Sequence, residues 1–426
     1  MKQRVTQCAF GVTQRPCGGE NRVGRGVPVE RFQWAEPAAA AVARAWYGFR
    51  LTSPGALSLE PATRCGRPAA EPGLAHPQGH LRTLEMPLQL RRLPPRAPIT
   101  IDAPARLHLG FLDPNASLGR AFGSLGLVID THGTRIEARL AEREQIGGVV
   151  SEAERERIAL SLARLQAAYG PATLAIDVLE APRAHTGLGS GTQLALAVGT
   201  AFARLVGQPA RSAELASLLG RGARSGIGIL GFECGGLLLD GGPPGDLRQS
   251  MPPLLSRQPF PQPWRVLLVS DNSREGLHGT EERSALASLA PFPRRLAAHL
   301  CHLVLMQILP GAAEHNFAPF AHGLTELQQT IGEYFASAQG GVFASPDVEH
   351  VLRAVASERT AGIGQTSWGP TGFAVLASAR EADRALATAR AVASALPHIE
   401  CSVVAGRNSG AAISGAEARA PHIDAA

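Results

Sequence analysis

Lysine is almost missing from this sequence. Of the 41 basic residues in a chain of 426, only Lys2 is a lysine. Enzymes that depend on a lysine for a Schiff base, for a Walker A phosphate loop or for the strand lysine of a protein kinase are therefore nearly all excluded. Positive charge at a functional site must come from arginine.

Long apolar runs and paired cysteines are also lacking. No run of 18 or more apolar residues occurs, so no membrane-spanning helix is expected, and the first residues do not resemble a secretion signal. The six cysteines lie far apart without a C-x-x-C pair, which is typical of reduced thiols rather than of a disulfide or zinc framework. These absences predict a cytoplasmic protein that does not act at a membrane.

Charge is distributed unevenly along the chain. Residues 1–96 hold 14 basic and 6 acidic residues, whereas the remainder carries a net charge of −3 within an overall charge of +5. The arginines of the first segment are scattered among Gly and Pro, so they do not form the basic face of a nucleic-acid-binding protein. We therefore expect small-molecule substrates and no nucleic acid.

The Gly and Pro content and the hydrophobic periodicity of the sequence change near residue 97. Residues 1–96 have Gly or Pro every few positions and no sustained period of 2 or 3.6, apart from a short helix-like stretch over 37–49. They are expected to be a disordered leader or an upstream extension of the gene, with Met86 as the true start, although a functional tail is the alternative. The mixed strands and helices that follow predict an α+β fold, with domains at 97–255 and 256–426.

Periodicity predicts the main elements of this body. The predicted helices cover residues 151–169, 190–206, 212–219, 280–309, 318–338, 346–358 and 381–396. Residues 221–242 are predicted to form a glycine-rich turn followed by a pair of strands, and the proline-rich stretch 252–263 to be a linker.

The strongest candidate site is the glycine-rich loop in PRAHTGLGSGTQ, residues 182–193. Its glycines let the backbone approach a ligand closely, and the loop opens a helix whose first N–H groups are unpaired and bind anions. A turn that merely needs flexible residues would have the same composition. The predicted phosphate-binding residues are Gly187, Leu188, Gly189, Ser190, Gly191 and Thr192.

Two further segments carry candidate residues. In APARLHLGF, residues 103–111, alternation puts Arg106 and His108 on the face opposite the leucines, where both are candidates to line a cleft. In GIGQTSWGPTGFAV, residues 362–375, glycines bracket Gln365, Ser367 and Trp368, and a tryptophan in such a loop suits stacking on a planar ligand. The alternatives are a surface arginine, an ordinary strand histidine and a tryptophan that only packs.

These three segments, in this order, resemble the three motifs of the GHMP kinase superfamily, which includes galactokinase, homoserine kinase and mevalonate kinase. PRAHTGLGSGTQ is similar to the phosphate loop P-x-x-x-G-L-G-S-S-A-A of that superfamily. The resemblance implies a GHMP-type two-domain α+β fold, with a left-handed βαβ unit in the N-terminal half and a ferredoxin-like C-terminal half. It also implies a site in the cleft between the halves, and a homodimer.

The kinase motifs are altered where a kinase would need them. Residues 103–106 read Ala-Pro-Ala-Arg instead of A-P-G-K, and the motif S-G-x-D, whose Asp is the catalytic base of mevalonate-kinase-like members, ends here in Gly228. A glycine cannot accept the proton of an attacking hydroxyl. An ATP-dependent small-molecule kinase therefore remains only the alternative function, and it would need Glu233 or Asp240 as a substitute base.

Four segments together resemble one branch of the superfamily, the β-ribofuranosylaminobenzene 5′-phosphate synthases. They are RGARSGIGILGFECGGLLLDGG, EGLHGTEER, EHNFAPFAHGL and GIGQTSWGPTGFAV. The resemblance implies condensation of phosphoribosyl pyrophosphate with 4-aminobenzoate, or with 4-hydroxybenzoate in some members, and loss of CO2 and pyrophosphate, in methanopterin biosynthesis. It implies Mg²⁺ that travels with the pyrophosphate substrate, and no ATP.

This chemistry suits the residues present. Departure of pyrophosphate leaves an oxocarbenium ion and requires stabilisation of an anion rather than a base. Arginines would supply charge beside the glycine loop, an acid would position the ring substituent, and Trp368 would stack on the ring. The predicted catalytic residues are Arg106, Arg224, Glu233 and Glu314, and the predicted substrate-binding residues are His108, Ser225, Gln365, Ser367 and Trp368. No metal-binding residues are predicted.

Overall fold

The computed structural model describes residues 97–244, 251–277 and 279–415. The predicted leader and its helix-like stretch lie outside the described residues. The strands are β1 (Ile99–Asp113), β2 (Phe122–Leu140), β3 (Gln145–Gly148), β4 (Leu174–Glu180), β5 (Leu237–Asp240), β6 (Leu254–Gln258), β7 (Arg265–Asp271), β8 (Gly362–Gln365), β9 (Thr371–Leu376), β10 (Ile399–Val404) and β11 (Ala412–Ser414).

Helices connect these strands. They are α1 (Glu152–Tyr169), α2 (Ser190–Leu205), α3 (Ser212–Leu218), α4 (Ile227–Cys234), α5 (Gly279–Ser288), α6 (Arg294–Leu303), α7 (Leu309–Ala313), α8 (Phe317–Gln339), α9 (Pro346–Glu358) and α10 (Ala379–Val392). A π-helical turn, Val304–Ile308, joins α6 to α7, and a 3-10 turn, Ala393–Ala395, follows α10.

The first sheet has seven strands around the long antiparallel pair β1 and β2. Its order is β11, β1, β2, β4, β3, and β5 pairs with the first part of β2 and with β6. The parallel strands β3 and β4 are joined by α1, as in the expected βαβ unit. The expected domain boundary at 255/256 falls inside β6, and β11 returns from the C-terminal end of the described chain to pair with β1.

The second sheet is antiparallel, with the order β10, β7, β9, β8. Helices α8, α9 and α10 pack on its strands. The largest hydrophobic core joins this half to the first, because Leu107 and Leu127 of the first sheet share one cluster with Trp264, Phe320 and Phe373. The predicted α+β class is confirmed, and the two sheets are held together by a continuous apolar core.

Helix α2 begins without a side-chain cap, in contrast to α1, α9 and α10. A capping box of Ser151 and Glu154 starts α1, and serine hydroxyls at 345 and 378 cap α9 and α10. The N-cap of α2 is Gly189 in the left-handed conformation, with no hydrogen bond from a side chain. The N-terminus of α2 therefore offers backbone donors to a ligand.

Three predicted elements differ in the structure. The helix predicted over 280–309 is divided by Pro291 and Pro293 into α5 and α6, because proline cannot continue a helix. Residues 227–234 form α4 instead of a strand, since a short apolar run is compatible with either. Strand β6 lies within the predicted linker 252–263 and pairs with β5.

One helix in the described part of the chain, Arg294–Ala313, is long and apolar enough to cross a membrane, which the sequence analysis did not expect. Leu300, Val304 and Ile308 on this helix lie in the main core, and α6 packs against β1 and α8. This packing is that of a core helix. The described cysteines 234, 301 and 401 are free thiols, as predicted.

Candidate active site

The three predicted motifs meet and are hydrogen-bonded to one another. The backbone N–H of Arg106 donates to the carbonyl oxygen of Leu188 at 3.1 Å. The N–H of His108 donates to Oγ1 of Thr366 at 2.9 Å, and that hydroxyl donates to the carbonyl oxygen of Gly187 at 2.9 Å. Strand β1, the glycine loop before α2 and the loop between β8 and β9 therefore form one site.

The two loops touch backbone to backbone. Gly187 has a φ of +86°, and a Cβ there would collide with the carbonyl oxygen of Thr366 and lie 3.2 Å from Cα of Gly369. A Cβ on Gly369 would in turn approach the backbone nitrogen of Gly187 to 2.6 Å. Only glycine allows this approach, so the loop between β8 and β9 packs directly against the glycine loop before α2.

The N-terminus of α2 opens onto a cleft rich in arginine. Five arginines and one carboxylate, that of Glu282, line this cleft together with residues 189–192. The arginines are Arg106, Arg157, Arg221, Arg224 and Arg283. Among the described residues, the ion pair of the cleft is that of Arg224 with Glu282, and the others have no carboxylate partner. Such a surplus of positive charge at a helix N-terminus favours a ligand with several negative charges.

Arg106 lies against the start of α2. Its Nη1 donates to the carbonyl oxygen of Gly187 at 2.5 Å, and a Cβ on Gly189 would lie 3.0 Å from its Cζ. Its Nε is buried without a hydrogen-bond partner. Burial lowers the pKa of Arg106 to about 10, partly opposed by the charge of Glu282, so the guanidinium stays protonated near neutral pH.

Arg221 approaches the same helix from the other side. A Cβ on Gly191 would lie 3.6 Å from its Nη1, and its Nε is also buried without a partner. Burial lowers the pKa of Arg221, and the charges of Arg157 and Arg164 lower it further. An anion in the cleft would offset both the loss of water and the repulsion between these arginines.

Arg224 and Glu282 form a bidentate ion pair within the cleft. Nη1 of Arg224 bonds Oε1 of Glu282, and Nη2 bonds Oε2 at 2.9 Å. Glu282 belongs to α5, which has no buried residue. The pair therefore ties an exposed helix to the wall of the cleft.

The sequence analysis missed four charged residues of the cleft. Arg221, Glu282 and Arg283 lie in segments quoted for the family resemblance, RGARSG and EGLHGTEER, so the signal for them was present. Arg157 lies on α1, outside the segments quoted for the resemblance, and no local pattern identifies it.

An apolar cavity adjoins the cleft. Its lining includes Phe111, Ile331, Phe335 and Trp368, and it shares His108, Phe111, Ser367 and Trp368 with the cleft. Trp368 is buried, and its ring centroid lies 4.5 Å from that of Phe335 at an interplanar angle of 48°. The arginine-rich cleft and the apolar cavity therefore share one wall.

Three glutamines line this cavity, but their amides are already paired. Gln365, a predicted substrate-binding residue, accepts from the N–H of Ala344 at 2.6 Å and donates to the carbonyl of Ser367 at 3.0 Å. Gln328 bonds backbone groups of β1 and β8, and Gln339 bonds those of residues 341 and 342. These amides fix the cavity wall and leave little polarity for a ligand.

His108 stands where the cavity and the cleft meet. Its side chain is buried, and its Nε2 has no hydrogen-bond partner. Burial lowers the pKa of His108 to about 3, and the charges of Arg106 and Arg224 lower it further, so the ring is neutral at physiological pH. A neutral imidazole has one donor nitrogen and one acceptor nitrogen, and which is which depends on the tautomer.

This shifted pKa predicts a pH dependence of stability. Above the unfolded pKa of about 6.5 His108 is neutral in both states, and as the pH falls toward 3 the unfolded state gains a proton that the folded state does not. Between pH 7 and pH 5 the free energy of unfolding is expected to fall by about 2 kcal/mol from this residue. Urea titrations of the wild type and of His108→Phe at both pH values test this, and an equal loss in both proteins would contradict it.

Two predicted catalytic acids are not at the site. Glu233 lies at the C-terminal end of α4, exposed, where Ser212 and Arg211 are its neighbours, and Glu314 is exposed at the C-terminus of α7. Neither lines the cleft or the apolar cavity. For Glu233 the cause is its place on α4. Gly228 is at the end of α4 nearer the cleft, and Glu233 lies more than one helical turn beyond it.

Asp240, the other residue considered as a substitute for the missing kinase base, does not line the cleft. A Cβ on Gly228 would lie 3.1 Å from Cγ2 of Thr192, so α4 packs closely on α2 at this point. Asp240 is buried and accepts hydrogen bonds from the N–H groups of residues 124, 226 and 242 and from Oγ of Ser225. Burial raises its pKa, and its oxygens hold the turn before α4. Ser225, a predicted substrate-binding residue, lines the cleft.

Metal ligands are not clustered in residues 97–244, 251–277 and 279–415, where no group of three His, Cys, Asp or Glu side chains is arranged to hold an ion. The site therefore combines arginine side chains and backbone N–H groups, which suit a polyanion, with an adjacent apolar space.

Comparison with known proteins agrees with this architecture. Residues 156–236 match the family described as the GHMP kinases N terminal domain. A homoserine kinase from Cytophaga hutchinsonii superposes with a TM-score of 0.55 at 17% identity, covering 74% of this chain and 97% of the kinase. A galactokinase from Lactococcus lactis superposes with a TM-score of 0.55 at 13% identity, covering 74% and 95%. At these identities the likeness shows the fold.

Similarity at the sequence level is higher to another group. The chain is 32% identical over 293 residues to a beta-ribofuranosylphenol 5′-phosphate synthase from Archaeoglobus fulgidus, covering 65% of this chain and 87% of that protein. It is 31% identical over 252 residues to the protein of the same name from Methanocaldococcus jannaschii, covering 54% and 76%.

Proposed function

The chain belongs to the beta-ribofuranosylphenol 5′-phosphate synthase family, and from this we propose that it condenses phosphoribosyl pyrophosphate with a para-substituted benzoate in methanopterin biosynthesis. The acceptor is 4-hydroxybenzoate or 4-aminobenzoate, and the name of the relatives, which refers to a phenol, supports the first. The observation that carries the proposal is the contact between an arginine-rich cleft and an apolar cavity.

The reaction requires charge stabilisation at one end of the ribose. The bond between C1 of the ribose and the pyrophosphate oxygen breaks, and the pyrophosphate keeps the electron pair. Arg106, Arg221 and the N–H groups at the start of α2 would bind the departing pyrophosphate, and Arg224 would add a third guanidinium. Donors fixed around a departing anion in a partly buried site stabilise the transition state.

The acceptor then supplies the electrons for the new bond. The ring carbon that bears the carboxylate bonds to C1 of the ribose, and the bond to the carboxylate breaks, so CO2 leaves and its electron pair restores the aromatic ring. No proton has to be removed from carbon. The glycine at 228, where mevalonate-kinase-like members have their base, is compatible with this chemistry and leaves phosphoryl transfer to a hydroxyl without that base.

Magnesium fits this site as part of the substrate. Mg²⁺ is commonly held by one or two carboxylates together with substrate phosphates and water. Glu282 is the one carboxylate of the described residues that lines the cleft, so the chain would add a single ligand to a pyrophosphate-bound ion. When bound, the ion would neutralise charge on the leaving pyrophosphate.

Pyrophosphate release tests the proposal. The full chain is incubated with phosphoribosyl pyrophosphate and Mg²⁺, with 4-hydroxybenzoate, with 4-aminobenzoate or with no acid, and ¹⁴CO2 from carboxyl-labelled acid is counted in parallel. We expect pyrophosphate and CO2 in equal amounts, and only when one of the acids is present.

The same assay distinguishes the alternatives. Release without any acid would indicate hydrolysis of phosphoribosyl pyrophosphate, and release without CO2 would indicate a different acceptor atom. If neither acid supports release while ADP forms from ATP and a small alcohol, the protein is a kinase and the proposal fails.

A further inference from the structure

Nearly all the polar groups around the apolar cavity already have hydrogen-bond partners within the protein. The amide groups of Gln328, Gln339 and Gln365 form hydrogen bonds with backbone groups and with one another, as described above. Among the described residues that line the cavity, His108 has a buried side-chain nitrogen, Nε2, without a hydrogen-bond partner. Buried polar atoms in folded proteins are almost always paired, so an unpaired one at a site calls for a partner.

The position of His108 matches one end of the acceptor. Its ring lines both spaces and is 4.7 Å from that of Phe111 in an edge-to-face arrangement, while its backbone is fixed by bonds to Thr366 and Ser367. An acceptor has its reacting carbon at the ribose, in the cleft, and its para substituent at the opposite end of the ring. A ring lying between the arginines and the aromatic side chains therefore points its substituent away from the cleft, toward the cavity.

The size of the cavity limits how far the ring can enter. Its volume is about 40 Å³, well below the roughly 150 Å³ of a cavity that holds a whole benzene ring. Only the substituted end of the ring fits there, and the rest remains in the cleft between Ser367, Trp368 and the arginines. His108 is at the boundary that the substituent must pass.

We propose that His108 is a specificity-determining residue that hydrogen-bonds the para substituent of the acceptor, and that it favours a hydroxyl over an amine. This inference rests on the proposed function. A hydroxyl can donate to Nε2 or accept from it, so one bond satisfies both groups in either tautomer. An aromatic amine has two N–H groups, and His108 can accept a hydrogen bond from one of them. The glutamines, which are already paired, offer no acceptor to the second.

The neutral state of the ring supports this assignment. A protonated imidazole would be a donor on both nitrogens and would repel the arginines, whereas burial and the charges of Arg106 and Arg224 keep it neutral. Positive charge develops on the substituent oxygen during attack on the ribose. The hydrogen bond from this hydroxyl to a lone pair on Nε2 would therefore become stronger in the transition state.

Equilibrium binding tests the proposal without turnover. Calorimetry on the full chain, saturated with magnesium pyrophosphate, compares 4-hydroxybenzoate with 4-methylbenzoate, which has the same shape and no hydrogen bond, and with 4-aminobenzoate. We expect the wild type to bind the hydroxy acid at least about tenfold more tightly than either of the others. His108→Phe should remove the preference over the methyl acid, and its pyrophosphate affinity is measured first so that both proteins are compared at saturation.

Two controls keep the outcome interpretable. His299→Phe changes a histidine that pairs with Glu326 on the surface of α6 and α8, away from both spaces, and should retain the wild-type preference. His108→Asn keeps a hydrogen-bonding group if the phenylalanine variant does not fold, and should lower the preference without abolishing it. A wild type that binds the hydroxy and methyl acids equally, or a phenylalanine variant that retains the preference, overturns the proposal. Pyrophosphate binding with no benzoate binding at all would instead overturn the proposed function.

Discussion

Replacing Arg106 by glutamine is expected to lower the rate of pyrophosphate release by about two to three orders of magnitude. The guanidinium lies at the start of α2 and is held there by Gly187, with Nε buried and unpaired. Glutamine keeps a hydrogen-bonding side chain but removes the charge that the leaving group would meet. The loss should therefore appear in kcat as well as in kcat/KM for phosphoribosyl pyrophosphate.

Arg120 provides a matched control for this variant. It also donates to backbone carbonyl oxygens, those of Gly241 and Gly242 at 2.8 and 2.6 Å, but it does not line the cleft. Arg120→Gln should release pyrophosphate at a rate within about threefold of the wild type. If Arg106→Gln lowers the rate of pyrophosphate release by less than tenfold, or if both variants lower it equally, Arg106 holds the loop without acting on the leaving group.

Arg106 was predictable because strand geometry alone decides its direction. Alternation along β1 placed Arg106 and His108 on one face, and the structure brings both to the glycine loop. The loop was found for a similar local reason, since glycine spacing before an apolar helix describes an anion site without any long-range information. The motif order then indicated the cleft between the halves.

The rest of the site depends on contacts that local patterns do not contain. Arg157 lies on α1 and reaches the cleft only because α1 packs on α2. Glu233 was expected at the site from the segment that contains it, but the eight residues of α4 carry it away from Gly228, and the sequence had been interpreted there as strands. The unpaired Nε2 of His108 depends on how segments distant in sequence pack around its ring, which no spacing rule could identify.

Gly187→Ala tests the clamp between the two halves and should have the largest effect on stability. The added Cβ would collide with the carbonyl oxygen of Thr366 in a residue whose φ is +86°. Strain in the left-handed conformation costs about 1 to 2 kcal/mol, and forcing the loops apart adds about 1 to 3 kcal/mol. The free energy of unfolding, measured by urea titration, should fall by the sum of the two.

Gly340→Ala separates these two contributions. Gly340 has a φ of +90° at the C-terminus of α8, and a Cβ there would have no atom within 4 Å. It should lose only the conformational cost of about 1 to 2 kcal/mol and keep its affinity for magnesium pyrophosphate. If the two variants lose equal stability and both keep pyrophosphate affinity, the loops are not clamped. If Gly187→Ala alone loses that affinity, the contact between the halves sets the position of the backbone donors before α2, because the only difference between the variants is what the new methyl group touches.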